Sequence, residues 1–151
     1  MADTIRQKIL DNMKTTLEGI TVAAGYANDV NVQEWQQKGN DLEPAATTPV
    51  IVINMGPEEK EHKPSFIINC ILDVVLDVWV ISPANTETKL NSLLGDIEKI
   101  LAIDHTRGGY AENTHLINAV TFETVRGQPY AGITITVKIK YKHSSTDPTS
   151  Q

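Results

Sequence analysis

The stretch "IDHTRGGYAENT", residues 103–114, holds the side chains whose types and spacing come nearest to a reactive site. An acid beside a histidine can transfer a proton, and a nearby arginine can hold an anion. The candidates are Asp104, His105 and Arg107, with Tyr110 nearby. A structural interpretation fits equally: a helix ends, a glycine takes the left-handed position after it, and a second glycine turns the chain into a strand. Contact of the His105 ring with Asp104 or Glu112 in a pocket would favour catalysis, whereas solvent-facing side chains would exclude it.

Phosphate, metal and nucleophile chemistry lack the residue spacing that they need. The pair Gly108–Gly109 follows a predicted helix, whereas phosphate loops precede one. No two of the four histidines form a helical i,i+4 pair, and none lies at zinc-ligand spacing from Cys70. Cys70 alternates with apolar residues in a predicted strand, which is typical of an inert core thiol. We therefore predict no catalytic residue, no metal and no cofactor.

Composition favours a single domain that grips neither nucleic acid nor membrane. A chain of 151 residues can bury a substantial core. The formal net charge of −6 and the pI near 5.1 oppose attraction to phosphate backbones. The longest apolar run contains Asp73 and Asp77 and is too short to span a bilayer. With a single cysteine and no apolar run at the start, the sequence indicates a soluble protein of a reducing compartment.

Apolar residues at helical spacing predict two amphipathic helices, over Thr4–Glu18 and Thr86–Ile103. Thr4 or Asp3 can cap the first helix, and Gly19 is its predicted end. Each helix has an apolar stripe that must be buried, so both are expected to pack on a sheet.

Five stretches have the alternation typical of strands. They are Val30–Trp35, Val50–Asn54, Phe66–Ile81, "HLINAVTFETV" and "YAGITITVKIKYKH", the last two joined by the turn Arg126–Pro129. The third would span roughly 50 Å, so we expect a bulge, a bend or an arm reaching past the domain. Its second face is half apolar, which indicates that another surface covers part of it. The segment Gly56–Ser65 before it is predicted to be a solvated hairpin loop, or else a contact loop that orders only beside a neighbouring chain.

The order of these elements lacks the strand-helix-strand repeat of a parallel sheet. We predict an α+β fold, with a single domain over residues 1–143. Its mainly antiparallel sheet has four to five strands, and two helices pack on one face. Residues 144–151 are predicted to form a flexible polar tail.

Charged residues on the second face of the sheet are candidates for contact with another subunit. Asp73 and Asp77 lie about 13 Å apart along their strand, too far for the carboxylate pair of a glycosidase. Lysines of the last strand are natural cross-strand partners for these acids, and a different subunit is an equal alternative. An exposed arginine after the second helix and the acidic loop complete the set. The candidates are Asp73, Asp77, Arg107, Glu58, Glu59, Lys138 and Lys140.

Four segments resemble the tail-terminator proteins of long-tailed bacteriophages, the group similar to minor tail protein U. They are "IRQKILDNMKTTLEGI", "VVLDVWV", "DHTRGGYAENT" and "ETVRGQPYAGITITVKIKYKH". The resemblance runs from about Thr4 to His143 and rests on structural landmarks. It implies a non-enzymatic virion protein that forms a six-fold ring on the head-proximal end of the tail tube. There the ring would end tube polymerisation and join the tail to the neck or connector.

The implied partners are further copies of the chain in a homo-oligomeric ring, the tail tube protein and the neck or connector protein. DNA would pass through the lumen without specific binding, and no membrane is involved. The implied location is the virion, with the host cytoplasm during assembly. Two alternatives stay open: another neck or tail-completion adaptor, and a small enzyme using Asp104, His105 and Arg107.

Overall fold

The computed structural model describes residues 3–34, 49–81, 86–122 and 130–151. The helices and strands are α1 (Ile5–Glu18), β1 (Asn31–Glu34), β2 (Val50–His62), β3 (Ile67–Ile81), α2 (Thr86–Ile103), β4 (Asn113–Phe122) and β5 (Tyr130–Ser144), with a 3-10 turn at Val22–Ala24. The predicted turn at Arg126–Pro129 lies outside the described residues.

The strands form one sheet in the order β1-β2-β3-β5-β4. Among the described strands, β1 and β2 run parallel, and every other neighbouring pair is antiparallel. This confirms the predicted α+β domain with a mainly antiparallel sheet. The last strand in sequence, β5, lies between β3 and β4 and pairs with β3 along its whole length. The centre of the sheet is therefore a long two-stranded ribbon.

Both helices begin and end close to where the sequence places them. Of the two possible caps of α1, Thr4 is the one used: its hydroxyl accepts a hydrogen bond from Gln7 N at 3.1 Å. The helix ends at Glu18, and Gly19 caps it in a right-handed conformation. In α2 the predicted bounds are confirmed. Among the described residues, neither helix is long and apolar enough to cross a membrane.

The helices cover one face of the sheet, here called the covered face. Even-numbered residues of β3 and the odd-numbered residues of β5 from Ile133 onward point into it and are buried, as are the apolar stripes of both helices. The deepest side chains include Ile9, Met13, Leu17, Leu72, Leu76, Leu93, Ile97, Ile135 and Ile139. The opposite face, here called the bare face, consists of the odd-numbered residues of β3 and their cross-strand neighbours. No described helix packs on it, and its β3 residues from Ile67 to Trp79 are half-buried.

The segment predicted as a loop at Gly56–Ser65 is mostly strand, because β2 continues to His62. The expected irregularity exists but lies in β2, where the register with β3 shifts between Met55 and Glu58. At this bulge the two backbones approach closely: a Cβ on Gly56 would lie 2.7 Å from the Asp73 carbonyl oxygen. Only a glycine fits at this position without displacing backbone. Beyond the bulge, β2 continues to pair with β3 as far as His62.

The segment after β5 folds back on the domain. Ile5 N donates to the Pro148 carbonyl at 2.9 Å, and Ser145 N donates to the Phe66 carbonyl at 2.8 Å. The prediction of a flexible tail at residues 144–151 did not include these hydrogen bonds. They fasten the tail to the first turn of α1 and to the β2–β3 hairpin.

Candidate functional site

The turn after α2 is built around the Asp104 carboxylate. Its Oδ1 accepts hydrogen bonds from Thr106 N at 3.2 Å and from the Thr106 hydroxyl at 3.0 Å, while Oδ2 accepts from Gly108 N at 2.8 Å. Burial acts to raise the pKa of Asp104, but these hydrogen bonds and the charge of Arg107 hold it below its ordinary value. The carboxylate is therefore occupied in shaping the turn.

The left-handed glycine turn is confirmed, but the prediction that a glycine directly follows the helix is wrong. Gly108 and Gly109 have φ values of 72° and 89°, and Arg107 precedes them at 48°. Because α2 ends at Ile103, neither glycine occupies the position directly after the helix. The left-handed run instead begins at Arg107, within the segment that the Asp104 side chain organises.

The prediction that Arg107 is exposed is wrong, because its side chain is fully buried at 0% exposure. Its Nη2 donates to the Leu101 carbonyl at 3.0 Å and to the Asp104 carbonyl. Burial lowers the pKa of the guanidinium, and the charge of Asp104 partly offsets that shift. A cation at these carbonyls complements the C-terminal end of the α2 dipole. As a subunit-contact candidate, Arg107 loses the exposure on which that prediction was based.

The remaining members of the reactive set do not converge on Asp104. His105 is exposed, and within the described residues its ring makes no hydrogen bond to Asp104 or Glu112. Tyr110 is 36% exposed, with the Lys8 ammonium 5.4 Å from its ring centre. Because the His105 and Tyr110 side chains are exposed and do not meet Asp104, the geometry supports the structural interpretation of the stretch.

Asp77 lies on the bare face between two neighbouring strands. Its Oδ2 accepts a hydrogen bond from the Asn54 amide at 2.9 Å, and its Oδ1 accepts from the Thr134 hydroxyl at 3.0 Å. The prediction that Asp77 pairs with a lysine is therefore wrong. For Asp73 the cross-strand register does place a lysine, Lys138, directly opposite. The two acids thus have different surroundings on the same face.

The neighbouring acids Glu58 and Glu59 lie on opposite faces of the sheet. The Glu58 side chain is only 8% exposed; its Oε2 lies 2.8 Å from Arg6 Nη1 and 3.7 Å from Lys60 Nζ. Glu59 is exposed on the bare face, directly opposite Ile71. Of this neighbouring pair of acids, only Glu59 is open to a neighbouring molecule.

A buried polar cluster adjoins Glu58 and was missed at the sequence level. Tyr141 donates to the Glu58 carboxylate, and Lys60 Nζ lies 3.1 Å from His143 Nε2 and 3.6 Å from Cys70 Sγ. Burial and the Glu58 carboxylate raise the pKa of Tyr141. In the described part of the chain, no three His, Cys, Asp or Glu side chains are grouped to hold a metal. In the sequence, the polar residues at the inward-facing positions of β5 could have indicated this cluster.

Asp96 is a second buried polar residue that sequence reasoning missed. It is 8% exposed and accepts hydrogen bonds from Ala27 N at 3.2 Å, Asn28 N at 3.1 Å and the Asn28 amide at 2.9 Å. These bonds fix the connection leading to β1 against α2. In the sequence, an acid within the apolar stripe of α2 could have indicated this buried position.

Large apolar side chains are exposed at several places at the periphery of the domain. Phe66, at the tip of the β2–β3 hairpin, is 76% exposed and has a φ of 60°. On the edge strand β4, Ile117 is 51% exposed and Val120 is 54% exposed. Exposed apolar groups on hairpin tips and edge strands are typical of protein contact surfaces. Together with the bare face, they are the candidate contact surfaces of the described residues.

The fold and these surfaces define a class: a small α+β subunit whose candidate sites are contact surfaces. Residues 2–147 match the family described as "Bacteriophage Tail Tube Terminator Protein". The chain belongs to this family, and it is a structural protein of the virion tail. Among solved structures, it is similar to a chain of the "Virion of native gene transfer agent (GTA) particle". The two share 10% identity, with 92% of each chain covered and a TM-score of 0.48. Comparison with curated proteins gives no match.

Proposed function

We propose that the protein forms a ring on the head-proximal end of the tail tube. There it ends tube polymerisation and joins the tail to the neck or connector. The observation that carries this proposal is the family match, which extends over residues 2–147. A non-enzymatic role is supported by the turn at Asp104, whose carboxylate is occupied by hydrogen bonds to Thr106 and Gly108. The six-fold size of the ring follows from the resemblance to tail terminators.

A ring of subunits in head-to-tail contact needs two unlike surfaces on each subunit. The sheet offers two unlike edges. At the first edge, β1 pairs with β2 only along Val50–Ile53, so among the described strands the charged remainder of β2 lies at the border. At the second edge, β4 presents the exposed side chains of Ile117 and Val120. The two edges are unlike, as contact between one subunit's first edge and the next subunit's second edge requires.

The net charge of −6 supports a lumen through which DNA passes without specific binding. Binding to DNA draws on lysines and arginines that displace counterions, and an acidic chain opposes that exchange. The proposed partners are the tail tube protein on one side of the ring and the neck or connector protein on the other. Assembly would take place in the host cytoplasm.

Tail tubes polymerised from purified tube protein, with and without this chain, test the proposal by electron microscopy. We expect a single ring on one end of each tube and a narrow distribution of tube lengths when the chain is present. Tubes that continue to grow without limit in its presence would contradict tube termination. An adaptor of the neck would instead bind the neck protein and leave tube length unchanged, so binding to each partner is measured separately.

A further inference from the structure

The polar cluster beside Glu58 brings an amine to the single thiol of the chain. Cys70 is 1% exposed and pairs in register with Lys60 of β2 on one side and with Tyr141 of β5 on the other. Lys60 Nζ lies 3.6 Å from Cys70 Sγ and donates a hydrogen bond to it. The surroundings of this thiol therefore differ from those of an inert core cysteine, because a second nucleophile lies within reach of the sulfur.

The amine of Lys60 also has a base beside it. Its Nζ lies 3.1 Å from His143 Nε2, and His143 Nδ1 lies 2.7 Å from the Ser144 carbonyl oxygen. An ammonium can only donate a hydrogen bond and a carbonyl can only accept one. We therefore assign the ring proton to Nδ1, which leaves the lone pair of Nε2 facing Lys60. In this position Nε2 can accept a proton from the ammonium, and the resulting amine is nucleophilic.

We propose that Lys60 and Cys70 are a site of oxidative cross-linking, at which hydrogen peroxide joins Sγ to Nζ. In the first step one peroxide oxygen is transferred to Sγ. The O–O and S–H bonds break, an S–O bond forms, and the second oxygen leaves as water. The sulfur is oxidised to a sulfenic acid by two electrons, and these electrons reduce the peroxide.

In the second step Lys60 Nζ, after giving one proton to His143 Nε2, attacks the sulfur of the sulfenic acid. An S–N bond forms and the S–O bond breaks, and the hydroxyl leaves as water with a second proton from the amine. One thiol, one ammonium and one peroxide thus yield a sulfenamide, two waters and one proton. Sulfenic acids condense in this way with backbone nitrogen.

The geometry favours this outcome over other fates of the sulfenic acid. Reacting atoms held for attack are about 3 to 3.5 Å apart, and Nζ is 3.6 Å from Sγ. The Lys60 side chain is 41% exposed, so its movement can admit a molecule as small as peroxide and then close the remaining distance. The chain has no second cysteine, and burial of Cys70 keeps larger thiols away.

The bond would tie β2 to β3 beyond the bulge at Gly56. As a structural protein of the virion tail, the chain would carry it on particles outside a cell, where the surroundings are oxidising. The proposal does not rest on tube termination, because its chemistry needs neither a tube nor a neck protein. Its failure would leave the proposed ring untouched, and failure of the ring would leave the cross-link untouched.

Mass spectrometry of the purified full chain, treated with hydrogen peroxide while folded, is the test. The main product should be about 2 Da lighter than the untreated chain, because cross-linking removes two hydrogens. Protease digestion should yield two peptides joined through Lys60 and Cys70. A thiol reductant should restore the original mass by attack on the sulfur. The oxidised chain should also unfold at a higher urea concentration than the reduced chain.

Lys60→Arg separates the chemistry from the fold, since it keeps the positive charge beside Glu58 but supplies a guanidinium that does not lose its proton. This variant should accumulate the sulfenic acid, and dimedone should label it several-fold more than wild type. Lys63→Arg is the matched control and should cross-link normally, because Lys63 pairs with Glu61 instead.

Three results would overturn the proposal. In the first, folded wild type gains oxygen at Cys70 without losing the two hydrogens. In the second, Cys70 stays unmodified by peroxide. In the third, Lys60→Arg yields the lighter product as readily as wild type.

Discussion

The two faces of β3 are made from one continuous segment, yet they have opposite surroundings. Val74 is fully buried beneath the helices, whereas its neighbour Val75 on the bare face is half-buried. The acids beside this strand divide in the same way: Glu58 is enclosed among polar partners, and Glu59 is exposed. A strand alternates its side chains, so adjacent residues of the same type can serve different purposes. One face holds the subunit together, and the other is open to contact.

The largest expected effect comes from truncating the same residue type on both faces of β3. Val74→Ala should lower the free energy of unfolding by about 2 kcal/mol, because it removes buried methyl groups and leaves a cavity. Val75→Ala should cost about 0.5 kcal/mol or less in the same experiment. Urea unfolding of both variants measures the difference. Equal losses would remove the distinction between the faces.

A second expectation concerns the point where β2 crosses closest to β3. Gly56→Ala should lower the free energy of unfolding by about 1.5 kcal/mol, because its Cβ would meet the Asp73 carbonyl oxygen. Gly95→Ala is the matched control, since a Cβ there meets no atom within 4 Å. In a helix this change should stabilise by about 0.8 kcal/mol. Thermal unfolding should shift in opposite directions, and a shift in the same direction would contradict the close approach.

A charge reversal on the bare face separates folding from assembly. Asp77→Lys breaks the hydrogen bonds from Asn54 and Thr134, and should lower stability by about 1 kcal/mol on this half-buried surface. Its effect on capping of tail tubes should be larger, because the face is proposed to contact other chains. Glu98→Lys on α2 controls for net charge. If Asp77→Lys lost several kcal/mol of stability and still capped tail tubes normally, this expectation would be contradicted.

The smallest effect is a pH dependence at the turn joining α2 to β4. The pKa of Asp104 is lowered from its ordinary value of 3.8, so its contribution is complete above that value. It is lost as the pH falls through the lower pKa of the folded state, because the unfolded chain binds the proton first. Between about pH 5 and pH 2, Asp104→Asn should therefore show a shallower decline in stability than wild type. Parallel declines would show that Asp104 carries no part of the acid sensitivity.

The spacing of apolar residues was sufficient to predict both helices and the alternation of β3, because the side of an element that is buried carries apolar residues. It failed at Gly56–Ser65, where charged residues were read as a loop. In the structure they belong to β2, whose partner β3 supplies backbone hydrogen bonds irrespective of charge. Pairing between strands is non-local, so a polar strand has little signature of its own. The same limit explains why the neighbours of β5 in the sheet did not follow from the sequence.

Among the candidate contact residues, Arg107 shows that residue type alone does not predict burial. Arginine is usually exposed, and its burial here depends on carbonyl groups at the end of α2 that only the folded chain brings together. Glu58 is similar, because Arg6 and Tyr141 reach it from distant parts of the sequence. The exposed positions of Glu59 and Lys140 agree with their polar character. Their assignment to subunit contacts stays a prediction.

The central place of β5 has a consequence for synthesis of the chain. Every other described strand leaves the ribosome before it, yet β5 lies between β3 and β4 and pairs with both. Until it is made, the long edge of β3 has no partner, and the apolar residues beneath α1 and α2 cannot close into a core. Folding of the domain must therefore wait until β5 has been made, and until then the nascent chain carries an open strand edge that chaperones would have to shield.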